Sequence, residues 1–153
     1  MDELERLLAE RACERLIVDY CRFVDFGEAS RIAELFTENG TWESDEVVMS
    51  GRADIRARFL ERQGVTRRVS RHLCTNVGID VLSADEAEGL CYLVNYRHDR
   101  QEGDSDAVVP AELPKFVGEY HDRFRRTAEG WRFERRRVDL AFVRPTRASA
   151  PLE

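Results

Sequence analysis

Arg68–His98, RVSRHLCTNVGIDVLSADEAEGLCYLVNYRH, is the stretch on which the fold turns. Apolar and polar residues alternate along it with a period of two, the signature of strands with one buried face. Ser83-Ala84-Asp85 breaks the alternation with turn residues, so the stretch predicts two long strands, 68–82 and 86–98, joined as a hairpin. The same pattern returns at 115–127 and 130–144, with Thr127-Ala128-Glu129-Gly130 as the second hairpin turn. Between the two pairs, Gln101 to Pro114 carries Gly103, Asp104, Ser105, Pro110 and Pro114 and reads as a polar loop. The tail from Pro145 reads as irregular.

Upstream the period is helical. Leu4, Leu8, Ala12, Leu16, Tyr20 and Val24 recur every four positions, with Leu7, Ile17 and Phe23 widening the stripe. The first 26 residues therefore predict one helix, with Gly27 in the usual place of a C-terminal cap. A second, short helix follows, with Ser30 as its N-cap and Ile32, Ala33, Leu35 and Phe36 turned inward. Asn39-Gly40 is a turn signal, after which Thr41-Trp42-Glu43 starts a strand. Gly51 opens onto a third helix, Ala53 to about Arg62, with Ile55, Phe59 and Leu60 on its apolar face. Helices followed by hairpinned strands define an α+β chain, a curved antiparallel sheet packed on N-terminal helices. A strongly bent sheet closed by helices makes a cone that encloses a pocket. The expected organisation is one domain, 1–144, and a tail, 145–153.

The bulk properties narrow the function classes. A chain of 153 residues with 42% hydrophobic and 35% charged residues buries a core and is too apolar for disorder. No apolar run is long enough to span a bilayer, so no membrane partner is expected. The acidic start, Met1-Asp2-Glu3-Leu4-Glu5-Arg6, lacks signal-peptide features and makes the cytoplasm the expected compartment. A net charge of −6 argues against nucleic acid as a partner. The arginines at 123, 125, 126, 132, 135, 136 and 137 read as a solvated face or a subunit interface. Cys13, Cys21, Cys74 and Cys91 form no close pair in sequence and read as buried free thiols. With no HExxH, clustered His/Cys, EF-hand or Gly-rich phosphate pattern, neither a metal nor another cofactor is expected.

Asp25 and His72 are the residues that suggest chemistry. Asp25 lies in the last helical turn between Val24 and Phe26, at the pole of the helix dipole that disfavours a carboxylate. The position also suits a solvent-facing acid. Strand alternation puts Ser70, His72, Cys74 and Asn76 on one face. A lone histidine there is either a satisfied core residue or a proton carrier, and an aspartate on its other nitrogen would fix its tautomer. Trp42, Tyr92, Val94, Tyr96, Phe116 and Phe142 are large strand residues that suit either a cavity wall or ordinary packing. Asn76 suits a ligand contact or a buried amide, and His121 reads as a surface residue.

Ile17-Val18-Asp19-Tyr20, Val24-Asp25 and Ala33 to Trp42 together resemble the opening of SnoaL-like (nuclear transport factor 2-like) proteins. The resemblance continues through Gly51, Ser70 to Asn76 and the closing hairpin Gly130-Trp131-Arg132-Phe133, and so covers Glu14 to about Arg144. The chain is most similar to the branch holding scytalone dehydratase and hexachlorocyclohexane dehydrochlorinase, cofactor-free lyases with an aspartate–histidine dyad. The resemblance implies Asp25 and His72 as that dyad. It implies Arg136 as the arginine of the last strand, within one residue of register given Arg135 and Arg137. Tyr20 stands where the dehydrochlorinase has a lysine, a departure that argues against halide elimination. His98 lies near, though not on, the place of the dehydratase's second histidine.

The resemblance implies a cofactor-independent lyase or isomerase acting on a small hydrophobic molecule, cyclic or aromatic. His72 would take a carbon-bound proton, Asp25 would balance it, and Tyr20 or Arg136 would steady an oxyanion. Tyr20, Trp42, Asn76, Tyr96, Phe116 and Arg136 are the expected substrate contacts. The alternative is a non-catalytic binding or assembly subunit, like the small subunits of ring-hydroxylating dioxygenases. Either way the outer face of the sheet predicts a homo-oligomer, dimer or trimer.

Overall fold

A computed structural model describes residues 1–104 and 108–145. Helix α1 (Glu3–Asp25) starts at a capping box. The Glu5 N–H donates to Asp2 Oδ1 at 2.8 Å and the Asp2 N–H to Glu5 Oε2 at 3.0 Å. It stops at Gly27, whose φ of +81° is open to a residue without Cβ. The next N–H, of Glu28, turns back to the Phe23 carbonyl at 3.0 Å, satisfying an orphan acceptor. This closure makes Asp25 the last helical residue.

The buried stripe of α1 is Ala9, Cys13, Leu16, Ile17, Tyr20 and Val24. Leu4, Leu7 and Leu8, expected within it, are more than half exposed, because burial begins only at Ala9 and the first two turns run past the core. The short helix is a 3-10 helix, Ala29–Leu35, that buries Ile32, Ala33 and Leu35. Ser30 is not its cap. It lies inside the helix, and its N–H donates to Gln63 Oε1 at 3.0 Å.

Strand β1 (Phe36–Glu43) passes straight through Asn39-Gly40, where a turn was expected. Its register against the last strand shifts between Phe36 and Thr41, so the glycine sits in an irregular stretch of strand. A Cβ at Gly40 would stand 2.9 Å from the Phe133 carbonyl oxygen, and close backbone approach explains the glycine. A short strand that the sequence reading lacks, β2 (Val48–Ser50), returns antiparallel on β1. Helix α2 (Gly51–Gln63) buries Ile55 and Phe59, one turn apart, and leaves Leu60 on the solvent side.

Four long strands follow: β3 (Arg68–Val81), β4 (Glu86–Asp99), β5 (Phe116–Thr127) and β6 (Gly130–Val143). The fold class is α+β, with strand order β2-β1-β6-β5-β4-β3 in one curved, open sheet. It is mixed rather than purely antiparallel, because β1 pairs parallel to β6. That pairing joins the two ends of the strand order in sequence, and no hairpin can supply it. Register shifts at Thr75/Gly78, Val117/Gly118 and Arg123/Phe124 bend the long strands. α1 lies against β3 and β6, and α2 against β1 and the 3-10 helix.

The core between the layers contains Cys13, Ile17, Ile32, Phe36, Ile55 and Phe124 with no solvent exposure beyond 1%. Phe133 continues a run of rings, 5.2 Å from Phe36 and 5.1 Å from Phe124 between centroids. Each such pair adds about 1 kcal/mol to simple area burial. Among the described residues no helix is long and apolar enough to cross a membrane.

Candidate active site

The end of α1 meets the start of β3. The Asp25 side chain is 4% exposed and accepts hydrogen bonds from three donors. Ser70 Oγ donates at 2.8 Å, the backbone N–H of His72 at 2.7 Å, and His72 Nδ1 at 2.7 Å. These charge-assisted bonds offset both the burial of the carboxylate and its unfavourable helix pole. An acceptor-only carboxylate on Nδ1 assigns the ring proton to that nitrogen and makes Nε2 the acceptor.

Nε2 faces Asn95, whose Nδ2 lies 3.2 Å away. Asn95 is 2% exposed and pairs directly with His72 across β3 and β4. The sequence reading missed it and chose Asn76 and Tyr96 instead. The two residues miss the site for different reasons. Counting back from the Val81–Ala87 pair without interruption puts Tyr96 opposite His72, but the register shift between Thr75 and Gly78 brings Asn95 there. Asn76 sits in that irregularity with φ +52° and is exposed, off His72's face. Tyr96 is 42% exposed and lies outside the cavity. The extra residue lies in β3 and turns Asn76 off His72's face, and periodicity alone does not locate bulges; on β4 the alternation runs unbroken through Ala87, Cys91, Leu93 and Asn95 and leaves Tyr96 on the other face.

His72 opens onto a cavity of about 470 Å³ between the sheet and the helices. Val24, Phe59, Leu93, Phe116 and Val138 give it apolar walls. Tyr20 and Trp42 also line it, with Trp42 Nε1 donating to the Tyr20 hydroxyl at 3.1 Å. Burial pushes the Tyr20 phenol up to about 12, so it stays neutral and keeps its own O–H to donate. Tyr92 and Phe142 are exposed, and Val94 is half-buried away from the cavity. His98 pairs at 3.8 Å with Asp104 and with Glu112 and does not reach the cavity. His121 is largely exposed beside Glu119 and Asp139.

Arg136 does not line the cavity. It is 0% exposed, one layer beneath it, with its guanidinium 4.3 Å from the Tyr20 ring centre, 3.8 Å from that of Tyr120 and 4.7 Å from that of Phe133. Its Nε lies 3.3 Å from Asp122 Oδ1. Burial pushes the Asp122 carboxyl up to about 6 while the charge of Arg136 pulls the other way. Arg135 and Arg137 point outward, to Glu43 and to Asp45 and Asp139. Of the three arginines only the middle one turns inward, and it lies beneath Tyr20.

The four cysteines are free. Cys13 and Cys91 are buried, whereas Cys21 and Cys74 are half-buried with their sulfurs 3.5 Å apart between α1 and β3. Among the described residues no group of three or more His, Cys, Asp or Glu side chains is arranged to hold a metal ion.

An open α+β cone with a histidine–carboxylate pair set in an apolar cavity defines the class of protein. The chain belongs to the SnoaL-like domain family, whose model matches residues 5–137. Solved structures agree on the fold. An NTF2-like protein with a cystatin-like fold from Novosphingobium aromaticivorans is similar at 26% identity and TM-score 0.76, over 90% of this chain and 85% of that one. A protein provisionally called a scytalone dehydratase from the same organism matches at 22% identity and TM-score 0.77, over 95% and 93%. The hexachlorocyclohexane dehydrochlorinase LinA-type3 from Novosphingobium barchaimii matches at 16% identity and TM-score 0.73, over 99% of each chain. Among curated proteins none matches the chain significantly.

Proposed function

We propose that the chain is a cofactor-independent lyase or isomerase that removes a carbon-bound proton from a small cyclic or aromatic molecule. The single observation that carries this reading is the 2.7 Å contact of Asp25 Oδ1 with His72 Nδ1, which makes Nε2 the basic nitrogen of a histidine that lines the cavity beside Asn95. In the proposed step Nε2 takes the proton, and the C–H electron pair passes into the substrate. Asp25 stabilises the imidazolium without itself taking the proton, as in other carboxylate–histidine pairs. The neutral Tyr20 hydroxyl, held by Trp42, donates to the oxygen on which charge develops. The pair then expels a leaving group, as in a dehydratase, or recaptures the proton from His72 at another carbon, as in an isomerase. Arg136 acts only through Tyr20, whose ring it supports from below.

The test is deuterium wash-in from D2O at carbons next to a carbonyl, read by NMR across a panel of cyclic ketones. His72→Ala is expected to lose at least about a hundredfold in rate, the low end for general-base catalysis. An unchanged rate in that variant overturns the reading.

The outer face of the sheet favours an assembly. Leu73, Tyr92, Tyr96 and Phe142 are exposed on the long strands, and an apolar face of this kind suits a second copy of the chain, as dimer or trimer. The non-catalytic alternative, a binding or assembly subunit, uses the same face and predicts no wash-in by the isolated chain.

A further inference from the structure

The cavity carries a charge imbalance on one side of its rim. Arg62 from α2, Arg68 from β3 and Arg97 from β4 all line it. Arg68 and Arg97 share one carboxylate, Asp99, at 2.6 and 2.8 Å. Arg62 makes no ion pair with any described residue; its Nη2 donates to Ser70 Oγ at 3.2 Å, and Ser70 passes the contact on to Asp25 at 2.8 Å. Three guanidiniums thus face Asp99 and the dyad carboxylate, an excess of one positive charge beside His72. Asp45 and Glu46 line the opposite rim, where they are exposed and Asp45 is held by Arg137.

Arg62 is half-buried, and a guanidinium has five N–H donors, of which one is used here. Burial, with Arg68 and Arg97 nearby, works against its charge. A monoanion with two oxygens in one plane would satisfy the fork and cancel the excess, whereas a dianion would overshoot it. We infer that the cavity binds a carboxylate-bearing molecule, its apolar ring against Phe59, Leu93 and Phe116 and its carboxylate on Arg62. This deepens the proposed function, on which it rests for the idea that the occupant is a substrate. It places the acidic C–H of that substrate close to its own carboxylate, because Arg62 is two hydrogen bonds from Asp25.

Titration calorimetry with 2-naphthoate and its neutral analogue 2-naphthamide tests the inference. The acid is expected to bind the wild type about tenfold or more tightly than the amide, the range of one charged hydrogen-bonded contact. Arg62→Gln is expected to remove that difference and leave the amide affinity intact, which reports an undamaged cavity. Ser70→Ala, which keeps the Arg62 charge, and His72→Ala are expected to retain the difference. Equal affinities in the wild type, a difference that survives Arg62→Gln, or no binding of the acid at millimolar concentration overturns the inference. Acid preference without wash-in would leave recognition standing and remove the lyase reading. Wash-in without acid preference would do the reverse.

Discussion

His72 and Asn95 stand opposite one another on β3 and β4, and the amide nitrogen of Asn95 meets imidazole Nε2 at 3.2 Å. With Asp25 on Nδ1, both ring nitrogens are held, so the ring has one orientation before any ligand arrives. For the proposed proton abstraction, a substrate C–H would approach Nε2 by sharing or displacing the Asn95 amide N–H.

Asn95→Ala frees one edge of the imidazole and enlarges the cavity beside it. The wash-in rate is expected to fall about tenfold, less than for loss of His72 itself, because orientation is weakened while the base remains. A loss as large as that of His72→Ala would mean that Asn95 takes part in the chemistry directly.

Asp25→Asn replaces an acceptor of three bonds with a side chain that must also donate. The imidazole proton is expected to move from Nδ1 to Nε2, visible in the nitrogen NMR shifts of His72. The lone pair then leaves the cavity, and the rate falls by about a thousandfold or more, as when a catalytic triad loses its carboxylate. Retention of the Nδ1 proton in this variant would contradict the network.

Arg136→Met leaves Asp122 buried without its cation and is expected to lower stability by about 3–5 kcal/mol in chemical denaturation. The double variant Arg136→Met, Asp122→Leu is expected to recover most of the loss. The pH dependence has a definite sign. Asp122 titrates at about 6 with Arg136 present, and removing the cation raises it further. A carboxyl raised on folding contributes stability that is present below its unfolded value, near 4, and lost as the pH rises through its folded value. The deficit of the single variant therefore widens as the pH rises above about 6. A deficit independent of pH would show that Asp122 is not the group left behind.

Gly40→Ala puts a methyl group 2.9 Å from the Phe133 carbonyl at the parallel β1–β6 pairing. Thr37 Oγ1 at 3.1 Å and Phe36 Cβ at 3.2 Å close in from beside it, and a loss of about 1–3 kcal/mol is expected by denaturant titration. A neutral result would indicate that β1 shifts freely on β6.

The layout of helices and hairpins follows directly from periodicity, because each long strand buries one face and each turn carries its own residues. The parallel β1–β6 pair is not legible that way, since it joins strands remote in sequence and shows no turn. Asn39-Gly40 misleads for a related reason: glycine serves close approach as readily as reversal. At the site, Asp25 and His72 stand out as polar residues on apolar faces. Asn95 shares the inward face of β4 with Ala87, Cys91 and Leu93, but its place opposite His72 depends on a bulge in β3 between Thr75 and Gly78 that no alternation predicts. Arg136 is recognisable as one of three arginines, but only packing shows which of them turns inward and that it stops beneath Tyr20.

The Asp25–His72 contact spans 47 positions and joins a helix to a strand, whereas His72 and Asn95 belong to one hairpin. A nascent or half-unfolded chain can therefore hold the histidine and its amide neighbour while lacking the carboxylate that orients the ring. On the proposed function, the site is complete only where the N-terminal helix is docked on β3, so loosening of that one contact would silence it while the sheet stays intact.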